Sequence, residues 1–135
     1  MPEKSTIRKA KQDLREGKSP TTAAGEFVHQ EIEHVREGKH GARSPKQAIA
    51  IGLSEARRAG IPVKPPSRGK TSEATRHKAE RDYEKGQQNP ETGEKHNRRS
   101  TARQKALKRE PKSTASHAAL SRQAKSAAKK RKSRQ

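Results

Sequence analysis

Large apolar side chains are too few and too unevenly placed in this chain to support more than a small core. Of 135 residues only thirteen are Ile, Val, Leu or Phe, and nine of those lie between Phe27 and Val63. Ordering a residue costs roughly 1 to 2 kcal/mol of backbone entropy, and apolar burial at about 25 cal/mol per Å² is the main term that offsets it. With about a tenth of its residues in this class and a net charge of +19, the chain has the composition of sequences that leave much of their length unfolded. Whatever core exists must be built from residues 27 to 63.

Within that window the apolar residues recur at helical spacing. Val28, Ile32 and Val35 stand at i, i+4 and i+7 beside Phe27, which predicts a helix from about Thr22 to Glu37. Ile49, Leu53 and Ala56 repeat the spacing, with Ala48, Gly52 and Ala59 widening the stripe, which predicts a second helix from Pro45 to Ala59. The two stripes, Phe27, Val28, Ile32 and Val35 against Ile49, Leu53 and Ala56, are expected to face each other as an antiparallel helical hairpin, the small residues allowing close approach. A shorter helix around Thr6 to Glu16 has only Ile7 and Leu14 to bury and is expected to dock weakly.

A repeated phrase sets the helix boundaries. Arg15-Glu16-Gly17-Lys18-Ser19-Pro20 returns as Arg36-Glu37-Gly38-Lys39 followed at Ser44-Pro45. Gly after a basic last turn suits a left-handed C′ position, and Ser before Pro supplies an N-cap and a first helical residue whose missing N–H is not needed. Gln47, three residues after Ser44, completes a capping box. Ser44-Pro45-Lys46 also resembles the Ser-Pro-basic motifs of linker-histone tails, but the cap explains it better, since Gln47 and the following periodicity both fit.

The expected organisation is therefore a small all-α protein. A weakly docked helix occupies 1–19, the hairpin module 20–62 and a Pro/Gly linker 63–70. Residues 71–98 read as a charged, solvated helix and polar loop. Residues 99–135 read as a largely disordered cationic tail with transient helices. This tail holds thirteen Lys or Arg and one acid, Glu110, so it carries +12 of the whole charge. It repeats itself with a period of thirteen residues, Ser100–Glu110 matching Ser113–Gln123 at six of eleven positions. Leu107 and Leu120, the large apolar residues of the copies, are expected to be incidental.

So dense a positive charge points to a polyanion, because releasing counterions from a phosphate backbone relieves the repulsion. The expected phosphate contacts are Lys105, Lys108, Arg109, Arg122, Lys125, Lys129, Lys130, Arg131, Lys132 and Arg134. With one Phe and one Tyr in the chain, base stacking is poorly supplied, so backbone contact without sequence preference is expected. DNA is the first partner; the alternatives are a protein-interaction adaptor that dimerises or binds a partner through the hairpin, and an RNA- or ribosome-associated protein.

Other chemistries find little support. Cysteine is absent, which removes disulfides and thiolate metal sites. His29, His34 and His40, with Glu33 near them, match no zinc spacing and read as a half-exposed helix rim, so no metal or other cofactor is expected. No Gly-rich phosphate loop follows a strand and no Ser, His and Asp set sits on a rigid scaffold, so an enzyme is not expected. The first residues form no apolar signal run and no stretch is long and apolar enough to span a bilayer, which leads to the expectation of a soluble cytoplasmic protein associated with the nucleoid and not with a membrane.

Residues 26–60, and above all the run from Ser44 to Arg57 (Ser-Pro-Lys-Gln-Ala-Ile-Ala-Ile-Gly-Leu-Ser-Glu-Ala-Arg), resemble the signature of an uncharacterised family of small, Lys/Arg-rich bacterial proteins. The resemblance implies a bacterial cytoplasm and carries no activity with it. In composition the tail is similar to bacterial linker-histone-like proteins.

Overall fold

A computed structural model describes residues 3–90 and 98–133, and the side chains of all of these except 98–100. It is all-α, with no strand among the described residues. The helices are α1 (Lys4–Arg15), α2 (Pro20–Arg36), α3 (Pro45–Arg58), α4 (Glu73–Gln88), α5 (Arg98–Lys108) and α6 (His117–Ser133), with a 3₁₀ turn at Ser113–Ala115. The chain divides into two compact units, one of Met1–Gln30 with Ala50–Lys95, the other of Glu31–Ile49 with His96–Gln135. Thus α2 and α3 each supply residues to both.

Both copies of the repeated phrase act as stop signals. After α1, Gly17 at φ +82° is C′ of a Schellman turn, its N–H donating to the Leu14 carbonyl and that of Lys18 to Asp13. After α2, Gly38 at φ +78° repeats the geometry, with its N–H on Val35 and that of Lys39 on His34. The serines that follow act as caps: Ser19 Oγ accepts from the Thr22 N–H, and Ser44 Oγ from the Gln47 N–H at 3.3 Å. The Gln47 side chain completes the second cap by accepting from the backbone N–H of Arg43, one residue before the cap itself.

In the first unit the core is Ile7, Ala10, Ala23, Ala24, Phe27, Ala56, Ala59 and Ile61, with Leu14, Leu53 and Val63 half-buried against it. Here α2 and α3 approach so closely that a Cβ on Gly52 would lie 2.7 Å from the Val28 Cα. This register, with Ala56 and Ala59 reaching the cluster that holds Ala23 and Ala24, is that of antiparallel helices. The expected core residues are placed unevenly: Phe27, Val35 and Ala56 are buried, whereas Val28, Ile32, Ile49 and Leu53 are half-buried. Helix α1 covers part of the apolar face with Ile7 and Ala10, and its Asp13 is buried with Lys18 Nζ at 3.3 Å.

Helix α4 was expected to be solvated, and instead its Ala79 and Gly86 are buried. A Cβ at Gly86 would fall 1.7 Å from the Arg57 carbonyl oxygen, so only a bare Cα permits this contact with the end of α3. Ser54 Oγ donates to Asp82 at 3.0 Å, and Gln87 donates to the Gly60 carbonyl. Small residues at 79 and 86, with Asp82 between them, do the work that a large apolar stripe would otherwise do. Residues 63–70 begin tied down, because Arg57 donates to the carbonyls of Val63 and Lys64.

In the second unit Val35, Ala42, Ala48 and Ala115 form a compact cluster with Ile32 half-buried beside it. The cationic segment, expected to be largely disordered, contributes α5, α6 and the buried side chains Leu107, Ala115 and Ala119. Its backbone is anchored: the N–H groups of Gly41 and Ala42 donate to the carbonyls of Leu107 and Pro111 at 2.7 and 2.9 Å, and Arg36 Nε donates to that of Ala115 at 2.8 Å. The physical reason is local, since Ala, Lys, Arg, Gln and Leu are strong helix formers and Ser116 caps α6 by accepting from the Ala119 N–H. Leu107 is accordingly a packing residue.

Candidate nucleic-acid interface

Most of the cations of the C-terminal segment sit on two helices that carry no carboxylate. Neither α5 (RRSTARQKALK) nor α6 (HAALSRQAKSAAKKRKS) contains an acidic residue. On α6, Arg122, Lys125, Lys129 and Lys132 stand at i, i+3, i+7 and i+10, which at 100° per residue places them within about 80° of one face over roughly 15 Å of helix. All four are exposed, and among the described residues no ion pair engages them. Lys130 and Arg131 are exposed on other faces of the same helix, and Lys105, Lys108 and Arg109 are exposed around the end of α5. Of the ten expected contact residues, Arg134 lies outside the described residues.

Beside the stripe is an open cleft of about 500 Å³, bounded by the start of α3, the 3₁₀ turn and the first turns of α6. Its walls hold Arg43, Ser44 and Pro45 on one side and Ser113, Thr114, Ser116, Ala119, Arg122, Gln123 and Ser126 on the other. Two guanidinium-bearing residues and five hydroxyls line it, with no carboxylate. Two helices start here, each contributing the positive end of its dipole. The chemistry suits an oxyanion such as a phosphodiester oxygen. The charge pattern of the sequence points to Arg122 but not to Arg43, because Arg43 lies 56 residues before the cationic segment begins at Arg99 and only the docking of the 3₁₀ turn on Ala42 brings them together. Thr114 Oγ1 fixes that docking by donating to the Ala42 carbonyl at 3.0 Å.

Phe27 is fully buried and Tyr83 is half-buried.

The histidines do not form the half-exposed rim that their spacing suggests. His29 is exposed, but His34 and His40 are buried together with Glu31, their rings edge to face at 6.2 Å. Glu31 and His34 are neighbours at i and i+3 on α2, and the turn at Gly38 returns His40 onto the same spot. His40 Nε2 is 2.9 Å from Glu31 Oε2, and this hydrogen bond raises the His40 pKa above the ordinary imidazole value of 6.5, against the opposing effect of burial. The missed member was Glu31, which the Glu-x-x-His spacing on one helix face could have signalled.

Among the described residues no helix is long and apolar enough to cross a membrane. The model of a family of unknown function (DUF6496) matches residues 3–68, just under half of the chain, and the run from Ser44 to Arg57 lies inside that match. No curated protein matches the chain, and neither does any solved structure.

Proposed function

We propose that this protein binds nucleic acid, duplex DNA in the first place, through phosphate contacts of α5 and α6 and without sequence preference, as a nucleoid-associated protein of a bacterial cytoplasm would. The observation that carries the reading is the exposed stripe Arg122, Lys125, Lys129 and Lys132 on a helix with no acid of its own. Each cation that meets a phosphate releases a condensed counterion, so a stripe without internal neutralisation gains more than one whose charges are already paired. The cleft beside it, with Arg43 and its hydroxyls, adds donors for a backbone oxygen at the stripe's edge. The burial of Phe27 supports backbone contact over base stacking.

A homodimer or partner grip through the hairpin is the alternative reading; among the described residues no large apolar side chain is exposed to favour it. Beyond its buried residue Ala119, α6 continues as a charged and largely exposed helix, and phosphate neutralisation would firm its later turns.

The test is a charge-only variant. Replacing Arg122, Lys125, Lys129 and Lys132 together by Gln keeps helix propensity and touches no buried group. Measured by anisotropy on a duplex of arbitrary sequence, log affinity against log salt should lose about 3 to 4 units of slope, at about 0.9 per phosphate contact. An unchanged slope would remove these residues from the interface. Competition between duplex DNA and structured RNA at one salt concentration decides which polymer is preferred.

A further inference from the structure

The buried cluster of Glu31, His34 and His40 plays no part in phosphate binding, and its chemistry is different. One donor atom from each residue lies within 4.8 Å of the other two. His40 Nε2 is 2.9 Å from Glu31 Oε2, and His34 Nδ1 is 3.5 Å from Glu31 Oε1. On the far side of its ring, His40 Nδ1 is 2.8 Å from the Gly41 carbonyl oxygen. A carbonyl can only accept, so Nδ1 carries a proton. A neutral His40 then directs the lone pair of Nε2 at a carboxylate that also only accepts. Something positive must stand between these two atoms, either a proton or a metal ion.

We propose that Glu31, His34 and His40 form a binding site for a divalent transition-metal ion of the zinc class. Two imidazole nitrogens and one carboxylate oxygen are the donor set that such ions favour, with a water completing four-coordination. The Nδ1–H contact to a backbone carbonyl is the arrangement that orients metal-bound histidines and raises their basicity. Metal–ligand bonds of about 2.0 to 2.1 Å place tetrahedral ligand atoms roughly 3.3 Å apart, so the Glu31–His40 pair opens by about 0.4 Å and the widest donor separation closes by no more than about 1.5 Å, within reach of side-chain torsions. Burial of all three residues limits the access of bulk solvent to the ion.

The site has a mechanical consequence inside its own unit. His40 is followed by Gly41 and Ala42, whose N–H groups hold the carbonyls of Leu107 and Pro111. An ion that ties His40 to α2 therefore secures the strip of backbone on which the cationic segment docks. The proposal is independent of whether that segment meets DNA or RNA.

The experiment uses the full chain, treated with nuclease and stripped with chelator. Zn²⁺ is titrated calorimetrically, and Co²⁺ is followed by visible absorption. One equivalent of each should bind, Co²⁺ giving the intense bands of four-coordinate geometry, and Zn²⁺ should raise Tm by several degrees. Glu31→Gln and His40→Ala should each weaken Zn²⁺ binding more than about 100-fold, whereas His29→Ala and His77→Ala, at exposed positions, should leave it unchanged. If the variants at 31 or 40 fail to fold, the wild-type Co²⁺ spectrum and Tm shift decide alone. Absence of both, or equal Zn²⁺ uptake by folded His40→Ala, would overturn the site.

Discussion

Phe27 is the largest of the fully buried side chains, and the residues around it are mostly alanines that cannot expand to fill its place. Phe27→Ala should therefore cost about 3 to 5 kcal/mol, a large share of the stability of so small a core, readable as a fall in the urea midpoint. Leu53, which the periodicity marks as an equal anchor, is only half-buried, so Leu53→Ala should cost about 1 to 2 kcal/mol. At His40 the effect is one of pH. Its folded pKa is raised by the hydrogen bond to Glu31, so the stabilisation is fully present below about 6.5 and is lost as pH climbs through the raised value. In metal-free protein, stability should fall from pH 6 to pH 8, and His40→Asn should flatten that dependence; a wild-type profile that rises instead would contradict the pairing.

At the scale of elements, the starts and stops of the helices were the most legible part of the chain. Gly17, Gly38, Ser19 and Ser44 declare their roles locally, since a left-handed turn and a cap depend on residues within one helical turn. Ser44→Ala should accordingly lower stability by about 1 kcal/mol, measured by thermal melting. What could not be read were dockings that rest on the absence of a side chain. Helix α4 is seated by Ala79 and Gly86, which carry no hydrophobic signal, and the loop at Gly41 lies where a Cβ would meet the Glu110 carbonyl oxygen at 1.6 Å. Leu107 looked incidental because the backbone its segment meets, at Gly41 and Ala42, is more than sixty residues away in sequence. The same distance hid Arg43 from Arg122, and the return of His40 onto α2 hid the cluster with Glu31. Gly41→Ala should break the hydrogen bonds to Leu107 and Pro111 and expose the backbone near residue 110 to limited proteolysis; protection equal to wild type would mean the docking is wrong.

For the whole molecule, charge is the property that dominates. Of the net +19, the last 37 residues carry +12, and neither α5 nor α6 contains an acidic residue. Helical order in this segment makes the charge directional, because the stripe from Arg122 to Lys132 is a feature of register that a coil would not possess. The apolar core of the second unit is small, and in the proposed reading it would hold those helices for a polyanion. The most direct test is the salt dependence of binding by the full chain to a duplex of arbitrary sequence. With about eight phosphates neutralised, log affinity should fall against log salt with a slope near −7, whereas a slope shallower than about −2 would contradict electrostatic binding by this segment.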